Sequence, residues 1–478
     1  MIIRRFYDDP LAQASYLIGC GREGVAIVID PNRDVAPYVE AAAAERLRIT
    51  HVTETHIHAD FLSGARDLAR ITGATLHLSA EGGRDWQYAY AAHDGARLLR
   101  DGDVMLVGNV RIAAVHTPGH TPEHLSFLVT DTAAADQPIG IVTGDFVFVG
   151  DVGRPDLLER AARVEGTMEA SARTLFRSLR KFTQYPDWLQ VWPGHGAGSA
   201  CGKGLSAVPH STVGYERRFN WAFGVEAEDA FVQAVLEGQP EPPTYFATMK
   251  RLNRDGPAPY DPARAPERVT RAQLADAKRA QAFVLDTRRA DAFAAGHVPG
   301  SISVPLNRSF TSYAGWVVPY DRDVVLIAQD DGAAREAVRA LAMIGVDQVA
   351  GWASAGVVDE WRKEGGPLGV VAQVDAADLA AALAADTSAV VDVRGRAEWD
   401  ESRIAGAPNI PFGLIGDRAD ELPAAGTVVL QCQSGSRSGI AASVLLARGV
   451  KNVANLAGGI EEWERAGLPV ERGVPASR

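Results

Sequence analysis

Brief apolar runs separated by polar turns dominate the first half of the chain: VAIVID (25–30), ITHVTETH (49–56), VRIAAVHT (110–117), HLSFLVT (124–130), IGIVTGD (139–145) and LQVWPGH (189–195). They are short and rich in β-branched residues, the pattern of strands. Alanine-rich stretches with helical character, VAPYVEAAAAER (35–46) and LSGARDLARITG (62–73), lie between some of them. The pattern predicts a layered α/β domain over residues 1–237. Seven prolines then mark 238–267 as a connector. Within it TYFATMKRL has helical spacing at Phe246, Met249 and Leu252, which predicts a short docked helix.

The remainder repeats itself. FVLDTRRADAFAAGHVPGSISVP (283–305) matches VVDVRGRAEWDESRIAGAPNIP (390–411), aligning Asp286 with Asp392 and Arg288 with Arg394. QDDGAAR (329–335) matches QCQSGSR (431–437), and DEWRKEGGPL (359–368) matches EEWERAGLPV (461–470). Each copy, 268–368 and 372–472, has the length of a domain. Each runs helix, strand, loop, strand, helix, strand, the order of a parallel α/β sheet.

At 478 residues the chain is too long for one core. Its net charge of −12, with no Lys/Arg block, argues against a nucleic-acid or anionic-membrane partner. No apolar run is long enough to span a bilayer. Three cysteines, Cys20, Cys201 and Cys432, are too few for a disulfide framework and suit a reducing cytoplasm.

Candidate chemistry in the first block gathers where strands give way to loops: His56, His58, Asp60, His120, Asp145 and His195. A lone histidine after a strand is usually a hydrogen-bonding residue, and His51, His77, His93 and His124 are read that way. Six such residues with glycine-rich turns around three of them, as in TPGH and PGHG, point instead to a shared pocket. HIHAD (56–60), PGHT (118–121), TGD (143–145) and PGH (193–195) resemble, in order, the motifs of the metallo-β-lactamase superfamily. The resemblance implies an αββα sandwich with metal at one edge of the sheets. In its two-metal hydrolases a further histidine would stand at Phe61, which cannot coordinate. In its mononuclear branch, the persulfide dioxygenases, the matches of His56, His120 and Asp145 hold one Fe(II). Two imidazoles and a carboxylate form the facial triad of non-haem iron oxygenases and leave positions for substrate and O2. His58, Asp60 and His195 then orient ligands or hold water. Arg154, Tyr215 and Arg217 are candidates to bind an anionic thiol substrate, and Cys201, six residues after His195, is a candidate accessory thiol.

Cys432 follows the apolar run TVVLQ and precedes a helical stretch, so backbone N–H groups and the helix end favour its thiolate. Arg437 adds positive charge, and Gly435 and Ser436 suit an anion-cradling loop. This stretch, with DVRGRAEW, IAGAPNIP and GGIEEW, resembles the rhodanese sulfurtransferases, which implies transfer of sulfane sulfur through Cys432. The first copy aligns Asp330 with Cys432 and reads as inactive.

Across nearly its whole length the chain is similar to the multidomain persulfide dioxygenase–sulfurtransferases of the CstB type. The implied reaction oxidises a low-molecular-weight persulfide with O2 to sulfite and thiol, with sulfite and thiosulfate handled at Cys432, in a homo-oligomer serving sulfide detoxification. The rival readings are a dinuclear zinc thioester hydrolase of the glyoxalase II type and a sulfur-binding protein without oxygen chemistry.

Overall fold

The computed structural model describes residues 1–160, 166–423 and 426–473. It divides into two compact units, Met1–Pro262 with Ala342–Gly345, and Ala263–Leu341 with Val346–Arg478. Among the described residues no helix is long and apolar enough to cross a membrane.

In the first unit two six-stranded sheets face each other. One runs in chain order through Ile2–Asp8, Gln13–Cys20, Val25–Ile29, Arg48–Thr53, Thr75–Ser79 and Arg97–Leu99. The other runs Ser211–Thr212, Gln190–Pro193, Gly140–Gly144, Leu125–Asp131, Val110–His116 and Val104–Val107. Strand alternation explains the layering, because successive side chains point to opposite faces. Tyr16, Ile18, Ile27 and Ile29 of the first sheet meet Ile112, Phe127, Val129, Val142 and Trp192 of the second between the sheets. On the outer face of the first sheet, Leu17, Val28 and Val52 pack with Tyr38 and Leu68 of the helices Ala36–Ala44 and Ala65–Thr72. On the outer face of the second, Ile141 and Val191 pack with Leu175 and Leu179 of Met168–Phe182 and with Phe231 of Glu228–Leu236. The result is the αββα sandwich.

The proline-rich segment contains the helix Phe246–Asp255, with Phe246, Met249 and Asn253 buried. Asn253 ties this helix to the turn after the HIHAD motif. Its Oδ1 accepts from Ser63 N at 2.9 Å, and its Nδ2 donates to the carbonyls of His58 and Phe61, each at 2.8 Å.

The second unit holds two four-stranded parallel sheets. The first runs Ile302–Ser303, Phe283–Asp286, Val324–Ala328, Val349–Ser354, and the second Ala372–Val374, Val453–Leu456, Thr427–Gln431, Ser388–Asp392. Both copies keep the Asp-x-Arg pair: Arg288 on Asp286 and Arg394 on Asp392, each at 2.7 Å and buried.

The hydrogen-bond register corrects the alignment of the repeat. Val324 N donates to Gln348 O as Val428 N does to Asn452 O, and Thr287 N donates to Ile327 O as Val393 N does to Gln431 O. Ile327 therefore corresponds to Gln431, and the counterpart of Cys432 is Ala328, not Asp330. The two loops share a Gln, a Gly and an Arg whose spacing slips the sequence match by two residues, whereas strand pairing fixes the register. Asp330 instead caps the helix Asp331–Met343, its Oδ1 accepting from Ala333 N at 2.9 Å. The copy still lacks a sulfur carrier, because alanine has none.

Two expectations follow. Asn253→Ala strands the Ser63 N–H and two carbonyls, so the first unit loses roughly 1–3 kcal/mol of stability, read as a lower midpoint for its unfolding transition in urea. His77 is buried with neither ring nitrogen hydrogen-bonded; burial, then the neighbouring His51, pushes its pKa down to about 4. It must stay neutral in the fold, so stability is full above its unfolded value of about 6.5 and is lost as pH falls from there towards 4. His77→Phe flattens that slope in thermal melts taken across the same range.

Candidate metal centre and sulfur-transfer loop

The parallel pairing of Gly140–Gly144 with Gln190–Pro193 brings Asp145 and His195 to one edge of the sandwich. Arg48–Thr53 delivers His56 there from the other sheet, and the turn after Val110–His116 delivers His120. Gly119 in that turn has φ +145°, and a Cβ there would lie 2.5 Å from Leu175 Cα, so only glycine lets the loop close on the helix.

His56, His120 and Asp145 offer ligand atoms within 4.8 Å of one another, all buried. Asp145 Oδ2 lies 3.9 Å from His56 Nε2 and 3.5 Å from His120 Nε2. The other ring nitrogens are held from behind: His56 Nδ1 by Thr55 Oγ1 at 2.9 Å, and His120 Nδ1 by the carbonyl of Arg154 at 3.1 Å. His56 Nε2 and both Asp145 oxygens have no hydrogen-bond partner although fully buried. Leaving such atoms dry and unpaired is costly; a cation held by two imidazoles and a carboxylate satisfies them, so the residues fit a metal. Burial, reinforced by neighbouring imidazoles, drives the His56 pKa well below its ordinary value, and burial also lowers that of His120 against the pull of Asp145. Both rings are thus neutral, the form that ligates.

The other expected residues fall into two groups. His58 is outside this three-donor cluster: its ring lies 4.2 Å from that of His56, its Nε2 bonds Asp30 at 3.1 Å, and its Nδ1 is buried without a partner. Asp60 and His195 pair at 3.2 Å, and His195 Nε2 is 3.4 Å from Asp145 Oδ1. Cys201 completes a second buried cluster with Asp60 and His195, ligand atoms again within 4.8 Å. The Phe61 reading thus counted too few groups at the second position, since a thiol six residues beyond His195 enters it. Burial, with Asp60 and Asp145, pushes the Cys201 thiol up to about 12, so in the absence of a cation it stays protonated. Phe61 is fully buried, its ring 4.3 Å from that of His58.

Arg154 is not a substrate contact. It is fully buried, paired to Asp156 at 2.7 Å, and donates to the carbonyls of Ala200 and Pro240. A guanidinium saturated in this way anchors the His195–Cys201 loop rather than a ligand. Tyr215 and Arg217 lie on the exposed side of Val213–Phe219, Tyr215 against Phe219 and Arg217 on Asp187 at 2.7 Å; neither touches the metal cluster. Sequence reasoning missed Asp30, which accepts from Thr55 N, Thr55 Oγ1 and His58, and Glu123, which accepts from Ile57 N at 2.8 Å. No spacing signal marks them. His124 is structural as read, with Nδ1 on Thr117 Oγ1 and Nε2 accepting from Asp145 N.

Cys432 lies at the end of Thr427–Gln431, before the helix Ser436–Ala447, and is buried. Its Sγ accepts from Gly435 N at 3.2 Å and Ser438 Oγ at 3.3 Å. Gly435 takes φ +90°, and Ile460 N and Glu461 N brace the carbonyls of Cys432 and Gln433. Arg437 engages Glu398 in two bonds of 2.7 Å, a partner the sequence did not flag. Burial opposes ionisation of Glu398, but Arg437 outweighs it and holds the carboxyl below its ordinary range. Ser434, Gly435 and Ser436 line a cavity of about 550 Å³ whose opposite wall, including Asp291, Phe293 and Ser303, comes from the copy without a cysteine.

Residues 8–195 match the family described as the metallo-beta-lactamase superfamily, and residues 270–363 and 375–466 each match the rhodanese-like domain. A crystal structure of a metallo-beta-lactamase from Staphylococcus aureus subsp. aureus COL is 42% identical, with TM-score 0.69, covering 74% of this chain and 99% of that one. A sulfurtransferase of Allochromatium vinosum is 41% identical over 103 residues, 21% of this chain and 95% of that protein. A probable metallo-hydrolase of Burkholderia pseudomallei is 31% identical over 220 residues, 41% of this chain and 72% of that protein.

Replacing Asp145 with Asn removes the charge from the donor set and leaves its size. Metal content of the full chain after anaerobic loading falls at least about tenfold, since loss of one first ligand weakens a site by that order or more.

Proposed function

Because the chain belongs to the metallo-beta-lactamase superfamily through its first domain and carries two rhodanese-like domains behind it, we propose that it is an iron-dependent persulfide dioxygenase coupled to a sulfurtransferase. The observation that carries the first half is the donor set: two neutral imidazoles and one carboxylate, all buried, with His56 Nε2 and both Asp145 oxygens left without a hydrogen bond. Bound there, a ferrous ion supplies adjacent open positions for a sulfur anion and O2. The protein's part is to hold the two rings by their rear nitrogens, to keep Asp145 dry, and to close the site with Phe61 and with Phe148, whose ring lies 6.0 Å from that of His195. The net reaction takes a persulfide, one O2 and one water to a thiol, a sulfite and two protons.

The second half rests on Cys432. Its sulfur sits among N–H and O–H donors at the start of a helix, a setting that stabilises the charge of a thiolate or of a persulfide's outer sulfur. Attack of sulfite on that outer sulfur breaks the S–S bond, forms thiosulfate and returns the Cys432 thiolate; the reverse run consumes thiosulfate. Three free, buried thiols suit a reducing cytoplasm.

A second reading has its own observation. Asp60, His195 and Cys201 form a further buried three-donor cluster beside the first, as a two-metal thioester hydrolase would require. Metal count and chemistry separate the two. The dioxygenase reading expects one iron per chain, persulfide-dependent O2 uptake and sulfite; two zincs with thioester cleavage and no O2 uptake would overturn it. His120→Ala abolishes iron binding and O2 uptake. Cys432→Ser retains O2 uptake and loses sulfur transfer at least about a hundredfold, the scale for deleting a nucleophile. Loss of O2 uptake in Cys432→Ser would show that the two sites are not separate.

A further inference from the structure

The expected substrate cations are not at the metal centre: Arg154 is sealed in the core, and Arg217 is spent on Asp187. Positive charge collects elsewhere in the first unit. A cavity of about 610 Å³ is lined by Lys250, Arg251 and Arg254 of the helix Phe246–Asp255, facing Pro118, Gly119 and Pro122. Those last three flank His120 in its loop, so one wall of the cavity is the outer side of the loop that carries a metal ligand. Three cations against a single lining carboxylate, Asp85, is unusual in a chain of net charge −12.

We propose that this cavity binds the anionic tail of the thiol that carries the persulfide. Among the described residues neither the Lys250 nor the Arg251 side chain forms a hydrogen bond or ion pair, and the Arg254 side chain engages only its neighbour Asp255, at 2.8 Å. Lys250 lies with Nζ 3.5 Å over the ring of Trp86, which holds the ammonium in place without neutralising it. Burial lowers the Lys250 pKa to about 8, more than nearby Glu123 offsets, so an anion in the cavity would restore its full charge. The Ser171 hydroxyl adds a neutral donor on the facing wall. The volume lies in the range of pockets that take a drug-sized molecule. The same helix, through Asn253, holds the carbonyls of His58 and Phe61, so the carrier's anchor and the metal loop share one rigid support. The ligand chemistry is a low-molecular-weight thiol with two or more negative charges, phosphate or carboxylate, separated from its sulfur by a flexible arm long enough to turn the loop edge.

This rests on the persulfide reading for its purpose, but its binding arm needs no turnover. The full-length, iron-loaded protein is titrated by calorimetry with coenzyme A, with glutathione and with inorganic pyrophosphate. At least one thiol binds, and affinity falls as salt rises. Binding of coenzyme A with pyrophosphate competition assigns phosphate, and binding of glutathione assigns carboxylate. Arg251→Gln with Arg254→Gln weakens the bound thiol at least about tenfold, as does Lys250→Gln, while Arg251→Lys with Arg254→Lys keeps most of the affinity because the charge remains. Iron content, measured alongside, reports that each variant is folded. In turnover, the ratio of kcat/KM for the anionic persulfide to that for an uncharged alkyl persulfide falls at least about tenfold in the Gln variants. The proposal is overturned if no probe binds the parent protein, or if the Gln variants bind and discriminate as it does. Absence of O2 uptake with every persulfide, beside intact charge-dependent binding, would sink the oxygenase reading and leave the anion site standing.

Discussion

A carboxylate without a hydrogen bond, deep in a protein, is the constraint around which the first domain is arranged. Asp145 is surrounded by His56, His120 and His195 and receives no donor of its own. Water cannot solvate it, and burial lowers the pKa of His56 and His120, so neither ring offers it a positive charge. Only a cation closes that account electrostatically. The two sheets, the glycine turn at Gly119 and the carbonyl of Arg154 behind His120 all serve to bring groups together that would repel or desolvate one another without it. The neighbouring position adds a thiol: Asp60 and His195 pair at 3.2 Å beside Cys201, and the Asp60 oxygens, like those of Asp145, are buried without a hydrogen bond.

Much of this was legible in the chain. Short apolar runs rich in β-branched residues mark the strands, and histidines and aspartates at strand ends mark the metal cluster, because a strand's C-terminal end is where its side chains leave the sheet and meet a loop. Less legible was anything set by long-range packing. Arg154, close in sequence to Asp145, reads as a candidate to bind an anionic substrate until its contacts with Asp156, Ala200 and Pro240 appear, partners up to 86 residues away. Lys250, Arg251 and Arg254 lie in what composition marks as a connector, and nothing local says that their helix packs beside the metal loop. Spacing places Cys201 near His195 as a candidate accessory thiol, but its company with Asp60 is set by the fold.

The repeat shows how a match of letters can fail where hydrogen bonds decide. Glutamine, glycine and arginine recur in both loops, yet strand pairing places Ala328 opposite the Cys432 position and turns Asp330 into a helix cap. What persisted in both copies is the Asp-x-Arg pair, buried at 2.7 Å in each. A group needed to fold outlasts a group needed to react, because removing one partner of a buried pair leaves a bare charge in the interior.

The cavity beside the Cys432 loop, lined by Ser434, Gly435 and Ser436, has two owners. One side belongs to the loop that holds the sulfur, where almost any change disturbs a donor or a tight turn. The other belongs to the copy with Ala328 at the matching position, and Asp291, Phe293 and Ser303 line it there. A substitution at Asp291, Phe293 or Ser303 therefore reshapes that cavity while leaving every donor to the Cys432 sulfur in place.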